Sequence, residues 1–226
     1  ISAINANAAL PHYRQTKDSN LKFKKNSIYL VDSGAQYFDG TTDITRTIII
    51  GKPTRDQREK FTRVLKGHIS LAKALFKKGT KGSSLDFLAR KSLKEIGCDY
   101  DHGTGHGVGS FLSVHEGPQR ISKPGTYNDT SLKEGMLLSN EPGYYKEGNF
   151  GIRIENLILV NKKSKNNLGF DTISFAPIDR DLILKNIMSL EEVEWINNYH
   201  KNVYKKLSAK LNIKERIWLQ KVTSPL

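Results

Sequence analysis

Short apolar runs separated by glycine-containing turns stand out in the first quarter of the chain. Residues 28–31 form one such run and residues 44–50, rich in isoleucine, form a second, and a polar stretch with two glycines lies between them. This pattern predicts two paired strands joined by a turn, that is, a β-ribbon. The first run ends on Asp32 and the second follows Asp43. We therefore expect the turn to bring these two carboxylates to one place.

The same pattern recurs in the second half of the chain. Residues 135–145 predict a strand that ends at an acid, Glu141, before a Pro-Gly turn, and residues 150–160 predict its partner strand. Strand alternation would place Arg153 and Glu155 on one face, where the arginine either pairs with the acid or orients it as a metal ligand. Two acid-bearing ribbons predict two αββ halves, the first lacking its helices because the chain begins late.

Helical periodicity fills most of the remaining chain. A capping box at residues 54–57 begins a helix whose apolar positions continue to Phe76. His68 lies within it, with a surface or packing role expected. No regular element is predicted for residues 1–14. The other predicted elements are helices at 84–96, 189–207 and 214–222 and a last short strand at 173–176.

The composition is that of a globular protein with one large domain and an appendage. The chain has 226 residues, of which 37% are hydrophobic and 26% charged. We divide it into a main domain at 1–180 and a helical extension at 181–226. The single cysteine excludes an internal disulfide framework and fits a reducing compartment. No apolar run is long enough to cross a bilayer, and no signal peptide is visible, although the chain does not begin with Met.

The formal net charge of +13 raises the question of a nucleic-acid partner. The lysines, however, occur in scattered pairs, without interleaved aromatic residues or a DNA-binding helix signature. We interpret them as a solvated surface, and we expect neither a nucleic-acid nor a membrane partner.

Three of the six histidines fall in one glycine-rich segment, residues 98–118. Glycine allows close approach of the backbone to a ligand. We therefore expect function rather than packing for His102, His106 and His115. One of these histidines and the four acids of the ribbons form an oxygen-rich, nitrogen-poor set that suits a hard or borderline ion such as Mn²⁺. Four acids exceed what one ion needs, so we expect two ions that share carboxylates.

Taken together, five motifs resemble the catalytic domain of Xaa-Pro aminopeptidases (aminopeptidase P), specifically the long cytosolic branch. The resemblance extends over the whole chain and implies an α+β, pita-bread (creatinase/aminopeptidase) fold with a curved antiparallel sheet and a C-terminal helical extension. The motifs are DSGAQYFDGTTDITR at 32–46, HGTGHGVG at 102–109, HEGP at 115–118, NEPGYY at 140–145 and GIRIEN at 151–156.

The resemblance implies roles for individual residues. Asp43 and Glu155 would bridge the two ions, and Glu141 would also move a proton. His115 would hydrogen-bond the scissile carbonyl, while Tyr145 and Arg153 would support the ligands. The implied ligand set is Asp32, Asp43, His106, Glu141 and Glu155, and the implied substrate-site histidines are His12, His102 and His115.

The implied reaction is hydrolysis of an N-terminal Xaa-Pro bond by a hydroxide held between two metal ions, most often Mn²⁺, with Zn²⁺ or Co²⁺ as alternatives. The implied partners are peptides with proline in second position and a second copy of the chain, in the cytoplasm. Two alternatives stay open: a prolidase that cuts only dipeptides, and a non-catalytic pita-bread binding module. Relatives carry N-terminal domains not seen here, so activity of this chain alone is also open.

Overall fold

The first sheet has three antiparallel strands, β1 (Ser2–Ile4), β2 (Ser27–Tyr37) and β3 (Gly40–Ile50), in that order. The computed structural model describes residues 1–125 and 129–226. Strand β1 was not predicted. The ribbon of β2 and β3 is longer than predicted, since its turn is confined to residues 38–39. Asp32 and Asp43 therefore lie within paired strands rather than at their ends.

The second sheet is also antiparallel and lies in the order β4-β11-β10-β7. Two short ribbons, β5 with β6 and β8 with β9, complete the strands of the described residues. The strand bounds are β4 Leu75–Lys77, β5 Gly105–His106, β6 Arg120–Ile121, β7 Leu137–Asn140, β8 Gly143–Lys146, β9 Phe150–Arg153, β10 Asn156–Lys162 and β11 Asn167–Thr172.

The single strand predicted for residues 150–160 is in fact two strands. β9 pairs with β8, and β10 pairs with β7, with Ile154 and Glu155 between them. At this break the Glu155 amide donates to the Thr45 carbonyl of β3 at 3.1 Å, so the backbone leaves one sheet to contact another. Glu141 lies at the matching break between β7 and β8. Both acids thus lie where the second ribbon passes between sheets.

Four α-helices lie in the described residues, and both predicted capping boxes are confirmed, at Thr54 and at Ser189. The first helix ends earlier than predicted, since Phe76 belongs to β4 and pairs with Leu168 of β11. The strand predicted at 173–176 is absent, because the Ala176 carbonyl instead accepts hydrogen bonds from side chains. The helix bounds are α1 Arg55–Ala72, α2 Asp86–Lys94, α3 Leu190–Leu207 and α4 Ile213–Val222.

The largest apolar core joins α1, the second ribbon and the C-terminal helices. Phe61 of α1, Ile152 of β9 and Ile196 of α3 are fully buried in it. At about 25 cal/mol per Å² of apolar surface, such burial supplies the main favourable term in folding. This core holds the ribbons in place beneath the site. Among residues 1–125 and 129–226, none of the helices combines the length and apolar character needed to span a bilayer.

Candidate metal centre

Three side chains from distant parts of the chain converge in the structure. Asp43 of β3, His106 of β5 and Glu155 each present a ligand atom, and these atoms lie within 4.8 Å of one another. The Nε2 atom of His106 lies 3.4 Å from an oxygen of Asp43 and 3.4 Å from an oxygen of Glu141. Three of the five predicted ligands therefore converge, and a fourth, Glu141, contacts the same histidine. Carboxylates and one imidazole suit a hard or borderline divalent ion, so the donor set fits such an ion.

The pairing register of β2 and β3 determines which face of the first ribbon carries Asp43. Asp43 pairs with Gly34 and Thr45 pairs with Asp32, so these residues lie on one face of the ribbon. A β-carbon on Gly34 would lie 2.9 Å from the Thr42 carbonyl and 3.6 Å from an oxygen of Asp43. Glycine at this position thus avoids a clash with the backbone of β3 next to Asp43, a residue that is 6% exposed.

Glu155 and Glu141 are each held by a hydroxyl group. Thr45 Oγ1 donates to Glu155 Oε2 at 2.7 Å, and Ser139 Oγ donates to Glu141 Oε1 at 3.0 Å. The Glu141 amide donates to the Thr104 carbonyl, which ties this acid to the histidine loop. Both carboxylates are therefore oriented by the protein before any ion binds.

Asp32, the fifth predicted ligand, faces an arginine. Its Oδ2 accepts a hydrogen bond from Arg153 Nη2 at 2.7 Å, and Asp32 is not part of the three-residue cluster. Arg153 thus forms an ion pair with Asp32, whereas the sequence pattern placed it beside Glu155. Asp32 nonetheless lines the same cleft as the other four ligands.

The electrostatics of the cluster favour a cation. Burial, reinforced by the charge of Glu155, raises the pKa of Glu141 to about 8. Burial and the charges of Asp43 and Asp32 likewise raise the pKa of Glu155 to about 8. Burial alone would lower the pKa of His106, but the hydrogen bond to Asp43 and the charge of Glu141 outweigh it and raise that pKa. A divalent ion would offset the repulsion between these carboxylates.

A cleft of about 1010 Å³ lies over the cluster. The other three predicted histidines line it, and the ring of His115 stands edge-on to His106, with 4.2 Å between ring centroids. Burial lowers the pKa of His115, and the nearby His106 adds to the effect. His12 is exposed and lines the same cleft, where it can contact a ligand.

One wall of the cleft is a chain of hydrogen bonds. Tyr145 contacts His102 Nε2 at 2.8 Å and accepts from Arg153 Nη1 at 2.9 Å. His102 Nδ1 lies 2.8 Å from the Gly103 carbonyl and must donate to it, so Nε2 accepts from the tyrosine. Burial lowers the pKa of His102 to about 4 and raises that of Tyr145 to about 12. Both groups are therefore neutral at pH 7.

Sequence reasoning missed the side chains that hold the histidine loop. Arg90 of α2 is 1% exposed and donates to the carbonyl groups of Tyr100 and His102. Its Nε pairs with Asp86 at 2.6 Å, and Asp86 accepts from Thr104. Asp86 and Arg90 are four residues apart on a predicted helix, and this spacing could have indicated that they form an ion pair. Such spacing, however, is more typical of an ion pair on the protein surface than of a buried one that supports a loop.

The model of metallopeptidase family M24 matches residues 1–162. The chain belongs to this family. The model of the family's C-terminal region matches residues 166–226. The family relationship and the pita-bread fold predicted from the motifs are both confirmed.

Curated relatives and solved structures place the chain within the M24 family. It is 48% identical to "Xaa-Pro aminopeptidase 1" of Dictyostelium discoideum over all of this chain and 37% of the relative. For "Aminopeptidase P1" of Arabidopsis thaliana the identity is 45%, over all of this chain and 36% of the relative. The chain thus spans little more than a third of the length of these relatives.

Two solved structures show the same architecture. The X-prolyl aminopeptidase of Caenorhabditis elegans, described as a cytosolic enzyme with a di-nuclear active site, matches with a TM-score of 0.94 and 41% identity, over 100% of this chain and 38% of that one. The prolidase of Pyrococcus furiosus matches with a TM-score of 0.66 and 36% identity, over 78% of this chain and 49% of that one.

Proposed function

We propose that the protein is a metal-dependent aminopeptidase that hydrolyses the N-terminal Xaa-Pro bond of peptides and releases the first amino acid. The observation that carries this proposal is the convergence of Asp43, His106 and Glu155 below a large cleft. The names of the curated relatives and of the C. elegans structure support it.

The residues that would hold two divalent ions are those predicted from the sequence. Buried carboxylates from both ribbons meet one imidazole, a set that suits Mn²⁺, which we propose as the native metal. Such ions, when bound, polarise a carbonyl group and make a water molecule a better nucleophile at neutral pH. The proposed ligands are Asp32, Asp43, His106, Glu141 and Glu155.

Other side chains of the cleft would bind the substrate and move protons. His115 would donate a hydrogen bond to the oxygen that becomes negative in the transition state. Glu141, oriented by Ser139, would take a proton from water and deliver it to the prolyl nitrogen, which lacks an N–H of its own. His12 would border the prolyl ring, and His102, fixed by Tyr145, would form the wall beside it.

Substrate length separates this function from its nearest alternative. A prolidase remains the second candidate because solved prolidase structures match this fold. The test compares Mn²⁺-loaded protein on an Xaa-Pro dipeptide, an Xaa-Pro-Xaa tripeptide and the matching Xaa-Ala-Xaa tripeptide. We expect fast release of the first residue from the Pro tripeptide, with little turnover of the other two. Cleavage of the dipeptide alone would identify a prolidase, and no cleavage with no metal bound would favour a binding module.

We further propose that the protein acts in the cytosol as a homodimer. The C. elegans neighbour is described as cytosolic, which supports the compartment. Exposed Ile213, Ile217 and Trp218 on α4 form an apolar surface that is consistent with a second copy as partner. Sedimentation of the purified protein tests the dimer, and a monomer at all concentrations would contradict it.

A further inference from the structure

A set of buried polar side chains lies directly behind two of the proposed metal ligands. His68 of α1, Asn140 of β7 and Asn156 of β10 are each 0% exposed. Asn140 precedes Glu141 in the chain, and Asn156 follows Glu155. The two asparagines also face each other as the pair of β7 and β10 nearest the site. Through one histidine, helix α1 therefore contacts the chain neighbours of both Glu141 and Glu155.

The hydrogen bonds of this set fix the tautomer of His68. Its Nδ1 lies 3.1 Å from the Asn140 carbonyl, which can only accept, so Nδ1 carries the hydrogen. Its Nε2 then accepts from Asn156 Nδ2 at 3.1 Å. The Asn140 side chain completes the set by donating to the His68 carbonyl at 2.9 Å. Both ring nitrogens therefore have a hydrogen-bond partner. Nδ1 bonds Asn140 of β7, and Nε2 bonds Asn156 of β10.

The orientation of the Asn156 amide is fixed from its other side. Its Oδ1 accepts from Arg46 Nη2 at 2.7 Å. Reversal of the amide would point its NH₂ group at this guanidinium, which can only donate, and leave His68 Nε2 facing an oxygen. The direction of every hydrogen bond from Arg46 to Asn140 is therefore determined, which is what a rigid spacer between two strands requires.

We propose that His68 is a positioning residue that sets the separation of Glu141 and Glu155 and thereby the affinity of the site for its divalent ions. The proposal rests on the proposed metallopeptidase function. His68 touches neither carboxylate and acts through the neighbouring asparagines. Side chains that orient metal ligands from behind commonly change metal affinity by about 10–100-fold when they are removed.

Three substitutions of His68 separate the contributions of the hydrogen bonds made by its two ring nitrogens. In His68→Asn the amide nitrogen takes the place of Nδ1 and keeps the bond to Asn140. In His68→Gln the amide oxygen takes the place of Nε2 and keeps the bond from Asn156. His68→Leu keeps neither. Calorimetric titration of Mn²⁺ into the chelator-treated protein of residues 1–226 should show affinity about tenfold or more weaker for His68→Leu, with the two amide variants between it and wild type.

A structural control distinguishes positioning from loss of packing. Leu65 is fully buried in the same helix and belongs to the large apolar core. Leu65→Ala should lower the melting temperature of the metal-free protein, as His68→Leu does, yet keep Mn²⁺ affinity within about twofold of wild type. Wild-type affinity in His68→Leu, or equal weakening in Leu65→Ala, would overturn the proposal. Failure of the wild-type protein itself to bind Mn²⁺ would instead refute the proposed function and remove the basis of the inference.

Discussion

Asp43 lies at the centre of the candidate site, and its removal is the most direct test of the ligand set. Asp43→Ala should abolish both metal binding and turnover, because it removes a buried carboxylate that faces His106 and Glu155. Metal content by mass spectrometry and release of the first residue from an Xaa-Pro peptide measure the two effects. Asp171→Asn is the control, since this acid lies on β11 beside Lys163. Full activity with one ion bound would contradict the two-metal mechanism.

Thr45 illustrates a ligand-supporting residue to which the motif around it assigned no role. Thr45→Val keeps the shape of the side chain but removes the hydrogen bond to Glu155. A hydrogen bond to a charged group is worth about 1.5–3 kcal/mol, so Mn²⁺ affinity should fall by about 10–100-fold. Thr62→Val is the control, because the Thr62 hydroxyl bonds the Arg58 carbonyl and the Leu184 amide, away from the site. Unchanged affinity in Thr45→Val would show that this hydroxyl does not support Glu155.

At the residue scale, motifs indicated the reactive side chains and, through the resemblance, the supporting Tyr145 and Arg153, but not the supporting roles of Thr45 and His68. Asp43, Glu155 and the three histidines belong to unusual combinations of acids, histidines and glycines. The partners of these residues lie far away in sequence: 110 positions separate Thr45 from Glu155, and 72 separate His68 from Asn140. A threonine in a strand or a histidine in a helix has no local feature that predicts such a contact. Only the folded structure supplies it.

At the element scale, local chemistry predicted where helices begin. The capping boxes at Thr54 and Ser189 satisfy backbone amides within one turn, so four residues suffice to indicate them. The predicted end of α1 was wrong. Phe76 continues the helical spacing of apolar residues, but its backbone pairs with β11, more than 90 positions later in the chain. The break at Glu155 was missed for the same reason, since its amide bonds β3.

The packing of α1 against α2 depends on a glycine. A β-carbon on Gly67 would lie only 2.0 Å from the Ala89 carbonyl of α2. Alanine ordinarily stabilises a helix by about 1 kcal/mol relative to glycine. In Gly67→Ala the clash would force the helices apart, and we expect a net loss of about 1–3 kcal/mol in the free energy of unfolding by urea. Ser70→Ala in the same helix should stay within about 0.5 kcal/mol. A stabilised Gly67→Ala would mean that the helices separate without strain.

At the scale of the whole molecule, one buried arginine joins the first ribbon to the C-terminal helices. Arg46 of β3 donates to the carbonyl groups of Glu155 and Ala176 and to the Tyr199 hydroxyl of α3. The helical extension was predicted from periodicity and capping, but its contact with the ribbon depends on residues more than 100 positions apart. The division of the chain at residue 180 stays a prediction.

Two buried histidines make the stability of the whole molecule dependent on pH. Burial, with a contribution from the Arg46 charge, lowers the pKa of His68 to about 3. Burial and the Arg180 charge lower the pKa of His200 to about 4. In the unfolded chain both would titrate near 6.5. Between that pH and their native pKa values these two groups bind more protons in the unfolded state, so their contribution to stability falls as the pH is lowered through this window. The raised pKa values of Glu141 and Glu155 act in the opposite direction, so the effect of a histidine has to be measured against a variant that lacks it.

His200 allows this effect to be isolated because it lies away from the cleft and accepts a hydrogen bond from the Ile178 amide at 3.1 Å. Each histidine should reduce the free energy of unfolding by about 2 kcal/mol between pH 7.5 and pH 5. In His200→Gln the amide oxygen accepts the same hydrogen bond without titrating, so the variant should lose about 2 kcal/mol less than wild type over that range. Urea unfolding of the metal-free proteins at both pH values measures the difference. Parallel losses in the two proteins would mean that His200 becomes protonated without unfolding the chain, and the assignment of a neutral, accepting Nε2 would be wrong.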